Sequence, residues 1–139
     1  MDVEKATAEV EKGFSAVKLA LGTDPALFFR FPYLKDPQSI VNYLGTSNIA
    51  IFSLDVDSFD FKMRTPEDVV NSVMTKLDRK GKGIILMHDF QQATAKAVPT
   101  ILRELSAKGF KVVHVVPKSA ARTIAKYDAS VANEVNQKQ

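Results

Sequence analysis

The residue whose type and position most clearly suggest chemistry is His88, one of only two histidines in the 139-residue chain. It follows an apolar run, residues 83–87, that is preceded by a Lys/Gly turn and followed by polar residues. A continuous apolar run of this length is typical of a strand that is covered on both faces. His88 is therefore predicted at the carboxyl end of a buried parallel strand, where α/β folds place their catalytic groups.

Two further polar clusters follow predicted strands. Arg30 and Tyr33 come after the apolar run 26–29, and an acidic loop, residues 55–61, comes after the run 48–54. Because the carboxyl ends of parallel strands share one edge of a sheet, residues that are distant in sequence can meet there. The sequence therefore predicts that the arginine, the acidic loop and His88 converge.

The acidic loop offers a carboxylate partner for His88. A carboxylate beside an imidazole fixes the tautomer of the ring and favours its protonated form, which suits general acid or base catalysis. Asp57 or Asp60 could serve His88 in this way. The alternative is a histidine that only hydrogen-bonds a backbone carbonyl at a strand end, and the residues leave both interpretations open. His114 lies within a predicted strand, which favours a core or sheet-face histidine over a ligand.

Several other kinds of site are excluded. The acidic loop does not match an EF-hand calcium loop, because Phe59 and Asp60 occupy the positions of the third ligand and the glycine. The chain has no glycine-rich phosphate loop and no serine nucleophile elbow. It has no cysteine, which excludes disulfides and thiolate metal sites and leaves the redox compartment undetermined. No cofactor motif is visible.

The elements that must position these residues alternate along the chain. Hydrophobic periodicity and helix-capping residues predict helices and four strands. The helices cover residues 3–21, 37–44, 66–80, 94–108 and 120–127, and the strands cover 26–29, 48–54, 83–87 and 110–116. This alternation predicts an α/β fold with a parallel sheet, either open or part of a barrel. We expect one domain over residues 1–127 and a polar tail over 128–139 that frays or is disordered.

The net charge of +3 comes from basic residues scattered between acidic ones, which indicates a solvated surface rather than a nucleic-acid interface. The sequence opens without a signal-peptide pattern, and no apolar run approaches the length needed to span a bilayer. We therefore expect neither a nucleic-acid nor a membrane partner, and the location of the protein is undetermined.

Three segments, in this order and each at a predicted strand exit, resemble the polysaccharide deacetylase family with the NodB-homology domain. They are residues 30–33 (Arg-Phe-Pro-Tyr), 57–61 (Asp-Ser-Phe-Asp-Phe) and 86–88 (Leu-Met-His). The resemblance extends from about Glu9 to Pro117 and implies part of a distorted (β/α) barrel. It also implies metal-assisted hydrolysis of N- or O-acetyl groups on carbohydrate, with zinc or a similar divalent ion.

The resemblance assigns catalytic roles to three residues. His88 would match the general acid that protonates the leaving amine or alcohol, and Asp60 would match the carboxylate that tunes this acid. Arg30 would match the arginine that holds the catalytic-base aspartate.

Three more residues would match the substrate-binding part of the family pattern. The backbone N–H of Tyr33 would be an oxyanion donor, and Leu86 would line the pocket for the acetyl methyl group. Phe61 stands where the family often has tryptophan on the wall of the groove. The implied substrate is a polysaccharide or an acetylated sugar.

Two motifs of the family do not occur in this chain. One is a Thr-Phe-Asp-Asp type segment that gives the base and one metal ligand, and the other is a His-x-x-x-His segment that gives the other two ligands. Because catalytic zinc sites normally use three protein ligands, we expect no metal site within this chain, which resembles the carboxyl-terminal part of the catalytic domain. The isolated chain is predicted to be inactive unless another chain completes the barrel. The alternative is a non-catalytic α/β module that self-associates or binds carbohydrate.

Overall fold

The structure is a computed structural model that describes residues 2–137. The chain forms two compact units, the first made of Met1–Phe52 with Val115–Gln139 and the second of Ser53–His114. Each unit contains helices and one pair of short parallel strands, so the chain has the predicted α/β class. The single domain over residues 1–127 stays a prediction.

Five helices and four strands follow one another along the described residues. In chain order they are α1 (Val3–Leu21), β1 (Phe28–Phe29), α2 (Gln38–Thr46), β2 (Ala50–Ile51), β3 (Val56–Asp57), α3 (Pro66–Lys80), β4 (Ile85–Leu86), α4 (Gln92–Ala107) and α5 (Ala125–Asn136). The strands are shorter than the apolar runs that predict them. None of the helices in residues 2–137 combines the length and the apolar character needed to cross a membrane.

Helix α1 has the bounds that the sequence predicts, because both of its ends are capped. The side chain of Asp2 accepts a hydrogen bond from the backbone N–H of Glu4. At the other end Gly22 takes a left-handed conformation with φ 70°, and its N–H donates to the carbonyl of Lys18. Both devices satisfy backbone groups that a helix end otherwise leaves unpaired.

The first unit also contains the parallel pair β1–β2, in which Phe28 lies opposite Ala50 and Phe29 opposite Ile51. Its buried apolar cluster draws residues from α1, α2 and the connecting segments. The members are Ala6, Phe14, Phe31, Ile40, Leu44, Ile49 and Ala121. Leu44 is fully buried, so α2 is held by its apolar face.

A buried polar pair joins α1 to α2. The hydroxyl of Tyr43 donates to Oε1 of Glu11 at 2.6 Å, and Glu11 is buried. Burial, together with the hydrogen bond to Glu11, raises the pKa of Tyr43 from 10.0 to about 12. Folding therefore favours the neutral phenol at this position.

This shift predicts a loss of stability at high pH. Because the pKa of Tyr43 is higher in the folded chain, its contribution to stability is complete below about pH 10 and is lost as the pH rises towards 12. In an ultraviolet titration, Tyr43→Phe should remove an absorbance step near pH 12. Tyr33→Phe, which changes a 94% exposed ring, should retain that step. Loss of the step in Tyr33→Phe instead would contradict the assignment.

In the second unit, α3 and α4 pack on each other over the strand pair β3–β4. Helix α3 begins as predicted, with Thr65 Oγ1 accepting from the N–H of Asp68 and Pro66 in the first turn, and it ends at Gly81 in a left-handed conformation. Its apolar face joins a buried cluster of Val56, Val69, Val70, Val73, Met74, Leu77, Ala97, Ile101 and Leu105. The strand pair β3–β4 packs on these two helices, because Val56 belongs to this cluster and Ile85 packs against it.

Gly83 shapes the entry to β4. Its φ is 148°, and a Cβ atom at this position would lie 2.5 Å from Cβ of Asp55. The close approach lets Oδ2 of Asp55 accept from the N–H of Ile84 at 2.8 Å. A side chain at residue 83 would therefore clash with Asp55 and disrupt the hydrogen bond between Asp55 and Ile84.

The predicted fourth strand is wrong. Residues 110–116 have no regular secondary structure, and Val112 and Val113 are 72% and 73% exposed. A strand needs a neighbour for its backbone hydrogen bonds, and β propensity alone does not supply one. His114 is likewise exposed, so its interpretation as a core or sheet-face histidine is also wrong.

The end of the chain also differs from the expected polar tail. Helix α5 covers Ala125–Asn136, where the sequence predicts a helix only over 120–127 and a disordered tail from 128. Val131 is buried, Lys18 of α1 binds Asp128 at 3.3 Å, and Lys12 binds Glu134 at 3.0 Å. Packing on α1 thus stabilises a helix whose own periodicity is weak. Lys138 and Gln139, the last residues of the predicted tail, and Met1 lie outside the described residues.

Candidate active site

The strand pair β3–β4 brings Asp60 and His88 to one sheet edge. Val56 pairs with Ile85 and Asp57 with Leu86, both in parallel. After β3 the chain makes a 3₁₀ turn at Asp60–Lys62, and His88 follows two residues after the end of β4. The sequence predicts a loop over 55–61 and misses β3, because Asp55 and Asp57 on either side of Val56 interrupt the apolar pattern of a strand.

Asp60 is fully buried, and its carboxylate accepts three hydrogen bonds. Oδ1 contacts Nδ1 of His88 at 2.7 Å. Oδ2 accepts from the backbone N–H of His88 at 2.7 Å and from Oγ1 of Thr94 at 2.6 Å. Of the two predicted carboxylate partners, Asp60 rather than Asp57 therefore pairs with the histidine.

The same contacts keep Asp60 ionised. Burial by itself raises the pKa of a carboxyl group, since it removes the charge from water. At Asp60 the hydrogen bonds from Thr94 and from the ring and backbone of His88 outweigh burial, and the pKa of this carboxyl is lowered below its usual value. An ionised carboxylate only accepts hydrogen bonds, so Nδ1 of His88 carries the hydrogen. The second ring nitrogen, Nε2, is the one left for a substrate.

Thr94 and Ser58 are site residues that the sequence analysis did not identify. Thr94 is buried on α4, and Ser58 is buried directly after β3, where its Oγ accepts from the N–H of Asp60 at 3.2 Å. Ser58 is in turn held by Ser72, whose hydroxyl donates to its carbonyl at 2.7 Å. A threonine near a predicted helix start suggests a cap, so no local signal connects Thr94 with Asp60.

Two phenyl rings flank the imidazole. Phe61 and Phe90 meet it edge to face, with ring centroids 5.7 and 5.8 Å from that of His88. Phe61 is the residue that the sequence analysis placed on the groove wall, whereas Phe90 was not predicted. Leu86, the predicted acetyl-pocket residue, is half-buried in β4 opposite Asp57. Asp60, Phe61, Leu86 and His88 thus lie in the same compact unit.

The other two predicted site residues belong to the first unit. Arg30 is exposed after β1, and Tyr33 is exposed in a 3₁₀ turn, Pro32–Leu34, with a left-handed φ of 54°. A positive φ at a tyrosine is a strained conformation. Their roles beside a catalytic base and an oxyanion stay predictions.

The residues present do not fit a metal site. Within residues 2–137, no three His, Cys, Asp or Glu side chains are grouped closely enough to hold an ion. The imidazole of His88 points its Nδ1 at a carboxylate rather than at a group of further ligands. The described side chains therefore form no catalytic metal centre by themselves.

Solved structures share this arrangement of elements. A peptidoglycan deacetylase from Bdellovibrio bacteriovorus superposes with a TM-score of 0.78 and 32% identity over 86% of this chain. This chain resembles the NodB-homology polysaccharide deacetylases over part of their catalytic domain. No family model and no curated protein matches its sequence.

Two further structures support the likeness to polysaccharide deacetylases. A family 4 carbohydrate esterase from Streptomyces lividans, solved with acetate, matches 88% of this chain with a TM-score of 0.71 and 25% identity. A peptidoglycan deacetylase from Bacillus subtilis matches 99% of it with a TM-score of 0.66 and 21% identity, which supports the fold alone. The short parallel strands and their helices are thus part of a (β/α) barrel of the deacetylase type.

The match covers only part of each deacetylase. This chain spans 35% of the Bdellovibrio protein, 62% of the Streptomyces protein and 60% of the Bacillus protein. The likeness therefore extends to a portion of the barrel, in agreement with the predicted partial domain.

Proposed function

We propose that this chain supplies the proton-donor part of a metal-dependent polysaccharide deacetylase. In this function His88 is the general acid that protonates the leaving amine or alcohol as the acetyl group departs. Asp60 holds the imidazole in the orientation and tautomer that this task requires. The substrate is a polysaccharide, by analogy with the Bdellovibrio peptidoglycan deacetylase among the neighbouring structures.

The observation that carries the proposal is the contact between Nδ1 of His88 and Oδ1 of Asp60 at 2.7 Å. Asp60 is buried and ionised, so Nδ1 of His88 carries its hydrogen towards the carboxylate, and Nε2 is the nitrogen that can pass a proton to the leaving group. His88 itself is partly exposed, which gives a substrate access to the ring. Thr94 Oγ1 also donates to this carboxylate at 2.6 Å, so the partner of the imidazole is itself fixed in position.

The remaining roles extend the proposal to the acyl group. Phe61 would form one wall of the sugar groove, and Leu86 would contact the acetyl methyl group. Arg30 would orient the catalytic base, and the N–H of Tyr33 would stabilise the oxyanion. The base and the metal ligands would come from residues outside this chain, as a complementing segment or chain.

A chimaera tests this function. The portion of the Streptomyces lividans esterase that matches this chain is replaced by this chain, so that the esterase supplies the other part of the barrel. If the proposal is correct, the purified chimaera releases acetate from chitin oligomers and the isolated chain releases none. A folded chimaera that releases no acetate, or an isolated chain that deacetylates and binds one metal ion per molecule, would contradict it.

A second candidate function is self-association of a non-catalytic module, and an apolar groove in the first unit favours it. The groove has a volume of about 860 Å³ and runs between α1 and the segment around β1. Its lining includes Val3, Val17 and Leu21, which are apolar and largely exposed. Exposed apolar surface of this extent is typical of an interface.

This candidate predicts that a charge in the groove prevents association. Val17→Lys should convert a concentration-dependent dimer to a monomer in sedimentation velocity, because burying an unpaired ammonium is costly. Leu19→Lys is the matched control, since Leu19 is 50% exposed on the same helix but does not line the groove. A wild-type chain that remains monomeric at all concentrations would rule out self-association.

A further inference from the structure

In the part of the chain that the structure describes, five consecutive residues, 112–116, take part in no hydrogen bond through their backbone or side chains. All five are exposed to solvent, and they are four valines and one histidine. We call residues 112–116 the valine segment. A row of unpaired backbone N–H and C=O groups is a template for pairing with a strand of another chain.

The side chains of the valine segment favour an extended partner. Val115 and Val116 are 49% and 67% exposed, in addition to the largely exposed Val112 and Val113. Valine is β-branched and is enriched in strands, where its side chain packs against a neighbour across the sheet. Contiguous exposed apolar surface marks an interaction site. The occupant that fits the valine segment is therefore a β-strand.

The sequence of the valine segment indicates that this strand comes from a second copy of the same chain. Residues 112–116 read Val-Val-His-Val-Val, which is the same in both directions about His114. An antiparallel pair with its two-fold axis at His114 therefore places each valine opposite a valine and His114 opposite its own copy. Pairs of apolar side chains directly opposite each other stabilise a sheet.

The flanking charges favour the same antiparallel register. Lys111 would face Pro117 of the second copy, and Lys118 would face Phe110. No two lysines lie directly opposite each other in this arrangement. Parallel pairing in register would instead place Lys111 opposite Lys111, and like charges directly opposite each other destabilise a sheet.

From these observations we infer that the valine segment is a homodimerisation site, at which two copies of this chain form an antiparallel strand pair centred on His114. The dimer is closed, because a two-fold axis uses the same surface of both copies. The inference does not rest on proton donation by His88. It also uses a different surface from the apolar groove between α1 and the segment around β1.

Single-cysteine variants of the whole chain test the register, because the chain itself has no cysteine. A disulfide needs two Cα atoms that lie about 4.4–6.8 Å apart, and directly opposite residues of antiparallel strands lie about 4.5–5.5 Å apart. Under mild oxidation, His114→Cys should therefore form a disulfide-linked dimer on non-reducing gel electrophoresis. The substitution changes an exposed side chain, so the fold should be retained.

Val112→Cys is the matched control for this cross-link. Its thiol is also exposed, but the two substituted positions would lie four residues apart along the strand pair, which is about 14 Å. It should cross-link at least about tenfold more slowly than His114→Cys, because that separation is too long for a disulfide. An equimolar mixture of Val112→Cys and Val116→Cys should cross-link as fast as His114→Cys, since these two positions face each other.

Charge variants locate the contact independently. In sedimentation equilibrium, Val113→Lys should weaken the dimer by about tenfold, because each dimer loses two cross-strand valine pairs. Val17→Lys introduces the same charge in the apolar groove and should leave both the dimer and the His114→Cys cross-link unchanged.

Equal cross-linking rates for His114→Cys and Val112→Cys would overturn the inference, because parallel stacking or random collision would explain them. Fibres in place of a dimer would also contradict it, since a closed two-fold pair does not propagate. A dimer that is lost in Val17→Lys and retained in Val113→Lys would assign self-association to the apolar groove instead. A wild-type chain that sediments as a monomer at every concentration would remove the dimer altogether.

Discussion

Asp60→Asn is expected to lower the free energy of unfolding by on the order of 3 kcal/mol at pH 7, which is the cost of damaging charged hydrogen bonds in a buried site. The carboxylate accepts from Thr94 and twice from His88, and all three donors lie within 2.7 Å. An asparagine amide has the same shape but only one oxygen, so its NH₂ group would face at least one donor. Urea denaturation followed by far-ultraviolet circular dichroism measures the change.

Asp89→Asn is the matched control for this prediction. It removes the same charge from the exposed residue next to His88 and should change stability by less than about 0.5 kcal/mol. Thr94→Val, which removes one donor and keeps the volume, should cost about 1 kcal/mol. Equal effects of Asp60→Asn and Asp89→Asn would show that the buried network does not stabilise the fold.

The lowered pKa of Asp60 adds a pH dependence to the same comparison. A carboxyl group whose pKa is lowered by folding stabilises the native state above its unfolded pKa of about 4, and this contribution is lost as the pH falls further. The wild-type chain should therefore lose stability below pH 4 more steeply than Asp60→Asn does. Parallel curves for the two proteins would contradict the shift.

The pairing of Asp60 with His88 could be predicted because it depends on strand ends. Parallel strands bring their carboxyl ends together, and an apolar run delivers His88 to such an end. The sequence left Asp57 and Asp60 as alternatives, because the exact turn after β3 decides which carboxylate points at the ring. Here the left-handed conformation of Phe59, with φ 55°, starts the turn that places Asp60.

The hydrogen bond from Thr94 that holds the Asp60–His88 pair could not be predicted, because Thr94 lies on an element that is distant in sequence. Thr94 lies 34 residues after Asp60 on α4, and only the packing of α4 on the rest of the unit aims its hydroxyl at Oδ2. Periodicity finds elements but not the contacts between their side chains.

Two predictions near the end of the chain are wrong, namely the strand over 110–116 and the disordered tail from residue 128, and both depend on whether the segment has a packing partner. Residues 110–116 have strong β propensity but no neighbouring strand to pair with, and residues 111–116 are exposed. Residues 125–136 have weak helical periodicity but find α1, and ion pairs to Lys12 and Lys18 hold the helix. In both segments the available partner, rather than intrinsic propensity, decides the structure.

His88→Asn in the chimaera should reduce the turnover number on chitin oligomers by about 10²- to 10⁴-fold, the usual contribution of a general acid. Asparagine can still donate a hydrogen bond to Asp60 in place of Nδ1, so the network and the fold should be retained. It cannot transfer a proton to the leaving amine. Because proton transfer occurs in the transition state, KM should change little.

The leaving group separates this role from a structural one. A 4-nitrophenolate leaves without protonation, so hydrolysis of 4-nitrophenyl acetate by the same chimaera should fall by less than about tenfold in His88→Asn, well below the contribution of a general acid. Lys111→Gln, at an exposed position with no described contact to His88, should leave both rates unchanged. If His88→Asn lowered the rates on chitin oligomers and on 4-nitrophenyl acetate by the same factor, His88 would position the site without donating a proton. Equal rates for His88→Asn and the unmodified chimaera on chitin would remove it from the reaction altogether.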